Sequence, residues 1–344
     1  MGKIDLAAGY YLADAAVFAD TFNFFLYDGK EVIRKEQLSE MNPAGLYVAD
    51  GRTGSTAKKA FRDILKVWNF KRDDSSAYML LGIENQAKVH YAMPVRTGLY
   101  DFLQYDAQIK NAAKNYRRKK TTRAQDRYPE RKTDGITALT GAEYISGFKK
   151  TDSLLPVITL VIYLNPEKWD GRRSLHELLR PDIDASLLQY IPDYRINLIE
   201  PARMKETDFA KFRTDFGKVL RYISCSDDIE KLDHLSKDAS FKSLDKRSAE
   251  FLNAITGSKL QLTEEGGKVD VCKGIEDMRK AERLKGLKEG RKEGRKEGLK
   301  EGRKEGEFQM LVSLAKQGLL SMKDAAEQAG MSQEIFAAKL SRQS

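Results

Sequence analysis

The segment Pro156 to Leu164, PVITLVIYL, constrains the fold more than any other part of this chain. Its apolar residues follow one another without alternation, and the run is far shorter than the ~20 residues a bilayer-spanning helix needs. A strand of this kind is apolar on both faces, so it belongs in the middle of a sheet covered by helices on both sides. The surrounding pattern supplies those layers. Leu12, Ala15, Ala16, Ala19, Phe22 and Leu26 recur at helical spacing and predict one helix over 8–28, with Gly29 as its C-terminal cap. Residues 42–55 are rich in glycine and turn formers and read as a loop. Asp63 then precedes Ile64, Leu65 and Val67. Lys71 to Ser76 is polar turn material, and Tyr78 to Ile83 is a buried strand ended by Glu84, Asn85 and Gln86, which together predict a hairpin.

Pro94 opens a long helix at its favoured first position. Arg96, Tyr100 and Leu103 lie on one stripe of it, and Asp101, Gln104, Tyr105 and Gln108 on a second, polar one. Beyond the central strand, a helix at Ser174 to Leu179, a strand at Arg195 to Glu200 ended by Pro201, and a helix at Phe209 to Ile223 complete the pattern. Alternating helices and strands of this kind predict an α/β protein, with a mixed sheet flanked by helices and a helical C-terminal extension.

Charge is distributed unevenly. Lys and Arg number 60 against 51 Asp and Glu, for a net charge of +9. Ten basic and three acidic residues lie between Lys110 and Asp134, and ten basic and seven acidic between Glu282 and Glu307, so these two segments carry the whole excess. A basic stripe on a neutral body is the electrostatic footprint of a nucleic-acid groove, although a charge run taken alone reads first as a solvated surface. Cys225 and Cys272 are too few for a disulfide scaffold or a four-cysteine zinc site, and reduced thiols are expected. At the N-terminus, Asp5, Asp14 and Asp20 interrupt any apolar leader, and Leu6 stands where a myristoylation signal needs Ser or Thr. The expectation is a soluble, cytoplasmic protein without a membrane partner. His90, His176 and His234 have no metal-ligand spacing, and GRTGSTAK at 51–58 lacks the spacing of a phosphate-binding loop.

Near the C-terminus the chain repeats every four residues, most clearly as KEGR, with glycine at 286, 290, 294, 298, 302 and 306. Each glycine costs about 1 kcal/mol against alanine in a helix. Glu289 with Lys292, and the equivalent pairs that follow, partly offset this. A marginal extended helix or a flexible tether is expected there. Ala326, Gly330 and Phe336 then have the spacing of a helix-turn-helix, which reads first as a helical hairpin used for packing or self-association and second as a DNA reader.

The residues that carry chemistry are Asp63 and the triplet Glu84-Asn85-Gln86. Residues i and i+2 of a strand share a face, so Glu84 and Gln86 project together. Asp63 starts the neighbouring strand. Two carboxylates at adjacent strand ends make an oxygen-rich site suited to Mg²⁺ or Mn²⁺. An ion there lowers the pKa of a bound water and neutralises charge on a phosphodiester.

The string from Asp63 in FRDIL through YMLLGIENQ to YAMPVRTGLYDFLQYDAQ resembles the recombination-promoting nuclease (Rpn) and transposase family, of the PD-(D/E)XK nuclease superfamily. VITLVIYLNPEKWDGRRSLHELL is similar to its second half, and the KEGR repeat with AAEQAGMSQEIF to its variable tail. The resemblance implies a restriction-endonuclease-like core over 1–205. A helical extension at 206–281, a repeat linker at 282–307 and a terminal helical hairpin at 308–344 would follow. It makes Asp63 and Glu84 metal-binding and catalytic acids, with Gln86 where the superfamily has lysine, and Asp20 a further metal-binding acid. Asn23, Tyr100, Tyr105 and Gln108 become neighbours of the site.

Arg96, Lys110, Arg117, Arg118, Lys119, Lys120 and Arg123 become DNA contacts. Arg96 has two readings, as a phosphate ligand or as the partner of an acid such as Asp20; Tyr100 reads first as core packing. The implied activity is Mg²⁺-dependent (or Mn²⁺- or Ca²⁺-dependent) hydrolysis of DNA. Two departures stand out: Arg62 replaces the superfamily's proline, and Gln86 is uncharged. The uncharged Gln86 favours an alternative, a DNA-binding or regulatory protein that keeps the fold without cutting. A third reading makes the C-terminal helices a homo-oligomerisation arm.

Overall fold

The computed structural model describes residues 3–41, 63–72, 75–125, 139–258, 264–265 and 267–341. The phosphate-loop-like segment 51–58 lies outside them. The chain divides into two compact units, Met1–Glu276 and Asp277–Ser344.

The first unit begins with α1 (Lys3–Leu12), α2 (Ala15–Tyr27) and the short strand β1 (Leu38–Glu40), followed by the hairpin strands β2 (Ile64–Arg72) and β3 (Ser75–Gln86). The long helix α3 (Met93–Gln125) and the single-turn helix α4 (Gly141–Ser146) lead to β4 (Val157–Tyr163), α5 (Leu175–Leu178) and β5 (Asn197–Ile199). The helices α6 (Glu206–Phe209), α7 (Phe216–Cys225), α8 (Ile229–Ser236) and α9 (Lys246–Thr256) then form in turn. A small second sheet pairs β6 (Leu244–Asp245) with β8 (Lys268–Val269), and β8 with β7 (Glu264–Glu265).

The main sheet has five strands in the order β1-β2-β3-β4-β5. The pairs β1–β2 and β2–β3 are antiparallel; β3–β4 and β4–β5 are parallel. The mixed α/β architecture expected from the sequence is therefore present, and the apolar segment at 156–164 supplies an interior strand. Leu160 and Ile162 of β4 face a core built with Leu81, Ile83, Phe18, Phe22, Phe216 and Leu220. Val161 and Tyr163 face the other way and pack with Met93 and Trp169. Fully burying one such side chain stabilises the fold by roughly 1.5–3 kcal/mol.

Two expected helices are broken, each for a visible reason. The helix expected over 8–28 is two helices, because the Asp14 side chain accepts the amides of Ala16 (2.9 Å) and Val17 (3.2 Å) and so starts α2 afresh. Asp28, at φ 54°, caps α2, and Gly29 follows at φ 80°, where a Cβ would sit 2.7 Å from the Lys211 carbonyl oxygen. The helix expected over 209–223 is also interrupted, between α6 and α7. At that break the buried Asp20 carboxylate accepts the amides of Arg213 (3.0 Å) and Thr214 (2.8 Å) and the Thr214 hydroxyl (2.6 Å).

The boundary expected near residue 205 does not separate two cores. Phe209, Phe212, Phe216, Val219 and Phe251 belong to the same buried cluster as α1, α2 and the sheet, and the first unit runs on to Glu276. The KEGR repeat lies within one continuous helix, α10 (Val271–Lys316). The second unit ends in α11 (Met322–Gln328) and α12 (Gln333–Ser341), joined through Gly330 at φ 65°. Leu311, Val312, Ala325, Ala326 and Phe336 form its buried cluster, with Phe308 packed against it. Among the described residues no helix is long and apolar enough to cross a membrane, and both cysteines are free.

Candidate active site

The hairpin register sets the site. Ile64 pairs with Ile83, so Asp63, just before β2, stands beside Glu84 near the end of β3. The Asp63 amide donates to Glu84 Oε1 at 3.4 Å. Asp63 Oδ2 accepts both the backbone amide and the side-chain amide of Asn85, each at 3.0 Å. Glu84 and Gln86 share a face of β3, the same face as their register partners Val161 and Tyr163 of β4, which pack with Met93 at the start of α3. Asn85 is thus the hinge of the triplet, holding one acid while its neighbours present the other acid and the amide.

Glu84 is 0 % exposed, so its charge needs a counter-ion inside the protein. Arg96, in the first turn of α3, provides it: Arg96 Nη2 lies 3.1 Å from Glu84 Oε2. The Arg96 Nε–H donates to the Tyr100 hydroxyl at 3.0 Å, one helical turn on, and the guanidinium lies 5.5 Å from the Tyr100 ring centre. Burial is the largest influence on Arg96 and opposes its charge, but Glu84, Tyr100 and Asp63 together outweigh it and hold the guanidinium above its ordinary pKa. Burial pushes the Asp63 carboxyl above the usual range, opposed by the Asn85 amide and Arg96 and reinforced by the charge of Asp5. Tyr100 is raised too, by burial first and then by Glu84.

The expected neighbours divide sharply. Asp63, Glu84, Arg96 and Tyr100 are brought to one place, and Gln86 follows on the Glu84 face of β3. Asp20 is not: both its oxygens bind the 213–214 backbone, which corrects its expected role as a metal ligand. Asn23 is likewise structural. Its side-chain oxygen accepts the amides of Val32 (3.1 Å) and Ile33 (2.8 Å), and its Nδ2 donates to the Ile33 carbonyl (2.8 Å).

Tyr105 and Gln108 hold the opposite end of β4. The Tyr105 hydroxyl accepts the Val157 amide at 3.2 Å, and Gln108 exchanges two hydrogen bonds with the Leu155 backbone (2.7 and 3.2 Å). Glu84 is level with Val161, four residues further along the parallel pair, or about 13 Å at 3.3 Å per residue. The polar stripe on α3 is a packing seam here, with Asp101 buried and accepting the Thr159 hydroxyl at 2.5 Å.

The sequence reading missed Asp5. Starting the first helix at Ala8 left it outside; the helix starts at Lys3, with Asp5 in its first turn. The signal was available, since Ile4, four residues before Ala8, carries the apolar face backward.

Among the expected DNA contacts, Lys110 pairs with Asp106 at 2.8 Å, and Arg117 is exposed. The backbone of Arg118, Lys119, Lys120 and Arg123 is part of α3; their side chains lie outside the described residues.

Among the described residues, no three His, Cys, Asp or Glu side chains form a ready metal cage. Mg²⁺ does not require one, since one or two carboxylates with water and substrate phosphate commonly hold it. Asp63 and Glu84 supply hard oxygen donors of that kind, and Glu84 already faces a cationic group in Arg96. The residues present therefore fit a divalent ion. Comparison of the chain with protein-family models, curated proteins and solved structures finds no match in any of the three.

Proposed function

We propose that this chain is a metal-dependent DNA endonuclease on a restriction-endonuclease-like core, of the recombination-promoting nuclease and transposase type. One observation carries this reading: Asp63 and Glu84, 21 residues apart, are brought into contact at the end of a hairpin that continues into a parallel crossover. A mixed five-stranded sheet with helices on its faces supports it. When bound, a Mg²⁺, Mn²⁺ or Ca²⁺ ion supplies an acidified water and charge neutralisation at the phosphodiester. Asp63 and Glu84 hold that ion, with Asp5 adding negative charge nearby. Gln86 would orient a water by hydrogen bonding and, being neutral, lacks the charge a lysine would bring there. The basic part of α3, from Lys110 onward, positions the DNA backbone irrespective of sequence.

Plasmid nicking by the full-length protein with a panel of divalent ions tests this. Metal-dependent nicking lost in Asp63→Ala and Glu84→Ala is expected; no nicking with any ion, or equal nicking by the variants, overturns it.

A second reading keeps the fold and DNA binding without cleavage. It is favoured by the Arg96–Glu84 ion pair, which neutralises the buried acid without a metal, and by the uncharged Gln86. Steeply salt-dependent DNA binding with no strand scission under any ion would decide for it.

A further inference from the structure

Arg96 stands where a cation bound to Glu84 would act. It is the counter-ion of a carboxylate with no exposure of its own, while its own side chain remains 31 % exposed. It is also held from the side: Tyr100 accepts its Nε–H and offers its ring as a shelf. An arginine has five N–H donors in a planar fork and matches a phosphate as well as a carboxylate. Asp63, the second acid, also feels the Arg96 charge.

We propose that Arg96 is an exchangeable counter-ion: it occupies Glu84 in the ion-free site and passes to a DNA phosphate when a divalent cation takes Glu84. This rests on the nuclease reading and deepens it. Two consequences follow from charge alone. Without DNA, Arg96 opposes the incoming cation, both by occupying Glu84 and by like-charge repulsion, so metal binding is weak. With DNA present, the phosphate gives the guanidinium a second partner, so the cation binds more tightly. By linkage, the cation raises DNA affinity by the same factor. The exchange makes Arg96 a positioning residue that keeps the metal site closed until substrate is present.

Calorimetric titration of Mn²⁺ into the full-length protein, with and without a short phosphorothioate duplex that resists cleavage, tests this. Arg96→Met should bind Mn²⁺ about tenfold more tightly than wild type without DNA. The duplex should tighten Mn²⁺ binding to wild type severalfold and leave Arg96→Met unchanged. Equal or weaker Mn²⁺ binding by Arg96→Met, or the same DNA effect in both proteins, overturns the exchange.

Asp63→Asn separates this from the underlying reading. If Asp63→Asn loses Mn²⁺ binding and Arg96→Met gains none, only the exchange falls. If wild type binds no Mn²⁺, or Asp63→Asn binds it as well as wild type, the metal site falls and the exchange with it. Should Arg96→Met fail to fold, the wild-type protein still decides. Its Arg96 Nε–H resonance, assigned with Arg96→Lys, should shift when Mg²⁺ is added together with the duplex; no shift overturns the exchange.

Discussion

The amide of Asp63 reaches the carboxylate of Glu84 across the β2–β3 register, so the backbone of one acid holds the side chain of the other. Moving either strand by one residue would turn Glu84 to the opposite face and break the site. Asp63→Ala and Glu84→Gln should each reduce metal-dependent nicking by at least about a hundredfold, more than an outer partner of a metal site usually costs. Glu84→Gln is the cleaner variant, because it keeps the size of the side chain and one oxygen, for either Arg96 or the Asp63 amide. A tenfold or smaller loss in both would place the chemistry elsewhere.

Asp63 carries a pH signature. Burial raises its carboxyl pKa above the usual value, so folding favours the protonated form. That contribution is present in full below the unfolded pKa of about 3.9 and is lost as pH rises through the higher folded value. At neutral pH the metal-free protein therefore holds a buried carboxylate at some expense. Asp63→Asn removes that charge and keeps an acceptor for the Asn85 amides. Its melting temperature without metal should equal or slightly exceed wild type at pH 7, and the difference should vanish toward pH 3. With Mn²⁺ at a hundred times its dissociation constant, wild type should gain about 2.7 kcal/mol and Asp63→Asn nothing. A variant that melts lower at both pH values would show that Asp63 acts mainly as a strand-end hydrogen-bond acceptor.

Asp20 offers a contrasting test. Its carboxylate satisfies the Arg213 and Thr214 amides at the break between α6 and α7. Asp20→Ala leaves buried donors unpaired and should destabilise the first unit by about 2–3 kcal/mol. Because Asp20 is bonded away from Asp63 and Glu84, nicking per folded molecule should persist below the melting transition. Chemical denaturation and nicking measured on the same samples decide it. Loss of nicking with unchanged stability would return Asp20 to the active site.

How much was legible follows from what each signal depends on. Continuous apolar runs, polar turns and a proline at a helix start are local signals, and they located the central strand, the hairpin and α3. The contact between Asp63 and Glu84 was also within reach, because a hairpin pairs residues near in sequence. Asp20 was not, because its partners at 213–214 lie in a later segment and become donors only when a helix breaks. Asn23, Tyr105 and Gln108 misled for a related reason: a buried polar side chain that clamps backbone looks, in one sequence, like a polar side chain at a site. Asp14 could also have been read as a helix start.

The basic face of α3 should bind the DNA backbone through charge. Lys114→Glu and Arg117→Glu should lower duplex affinity for all sequences alike. If each residue contacts one phosphate, neutralising it as glutamine should reduce the slope of log affinity against log salt by about 0.9. Fluorescence anisotropy over a salt series measures this. An unchanged slope in both glutamine variants would assign the basic segment to a solvated surface.

The repeat helix supplies the last prediction. α10 is continuous through Gly290, Gly294 and Gly298, and a Cβ built at any of the three meets nothing within 4 Å. These glycines therefore weaken the helix without a packing role within the chain itself. Replacing all three by alanine should add about 3 kcal/mol of helix propensity, taking ~1 kcal/mol for each. The helical circular-dichroism signal should then persist to higher temperature, with the first unit's melting unchanged. Sedimentation on the same protein adds a second readout. If copies of the chain associate by close approach along the glycine positions, the alanine methyls will weaken the oligomer while the helix is strengthened, because added side chains hold two backbones apart. A strengthened helix with an unchanged sedimentation coefficient would assign the glycines to local flexibility alone. A helix no more stable than before would mean that the repeat is held by contacts beyond its own backbone.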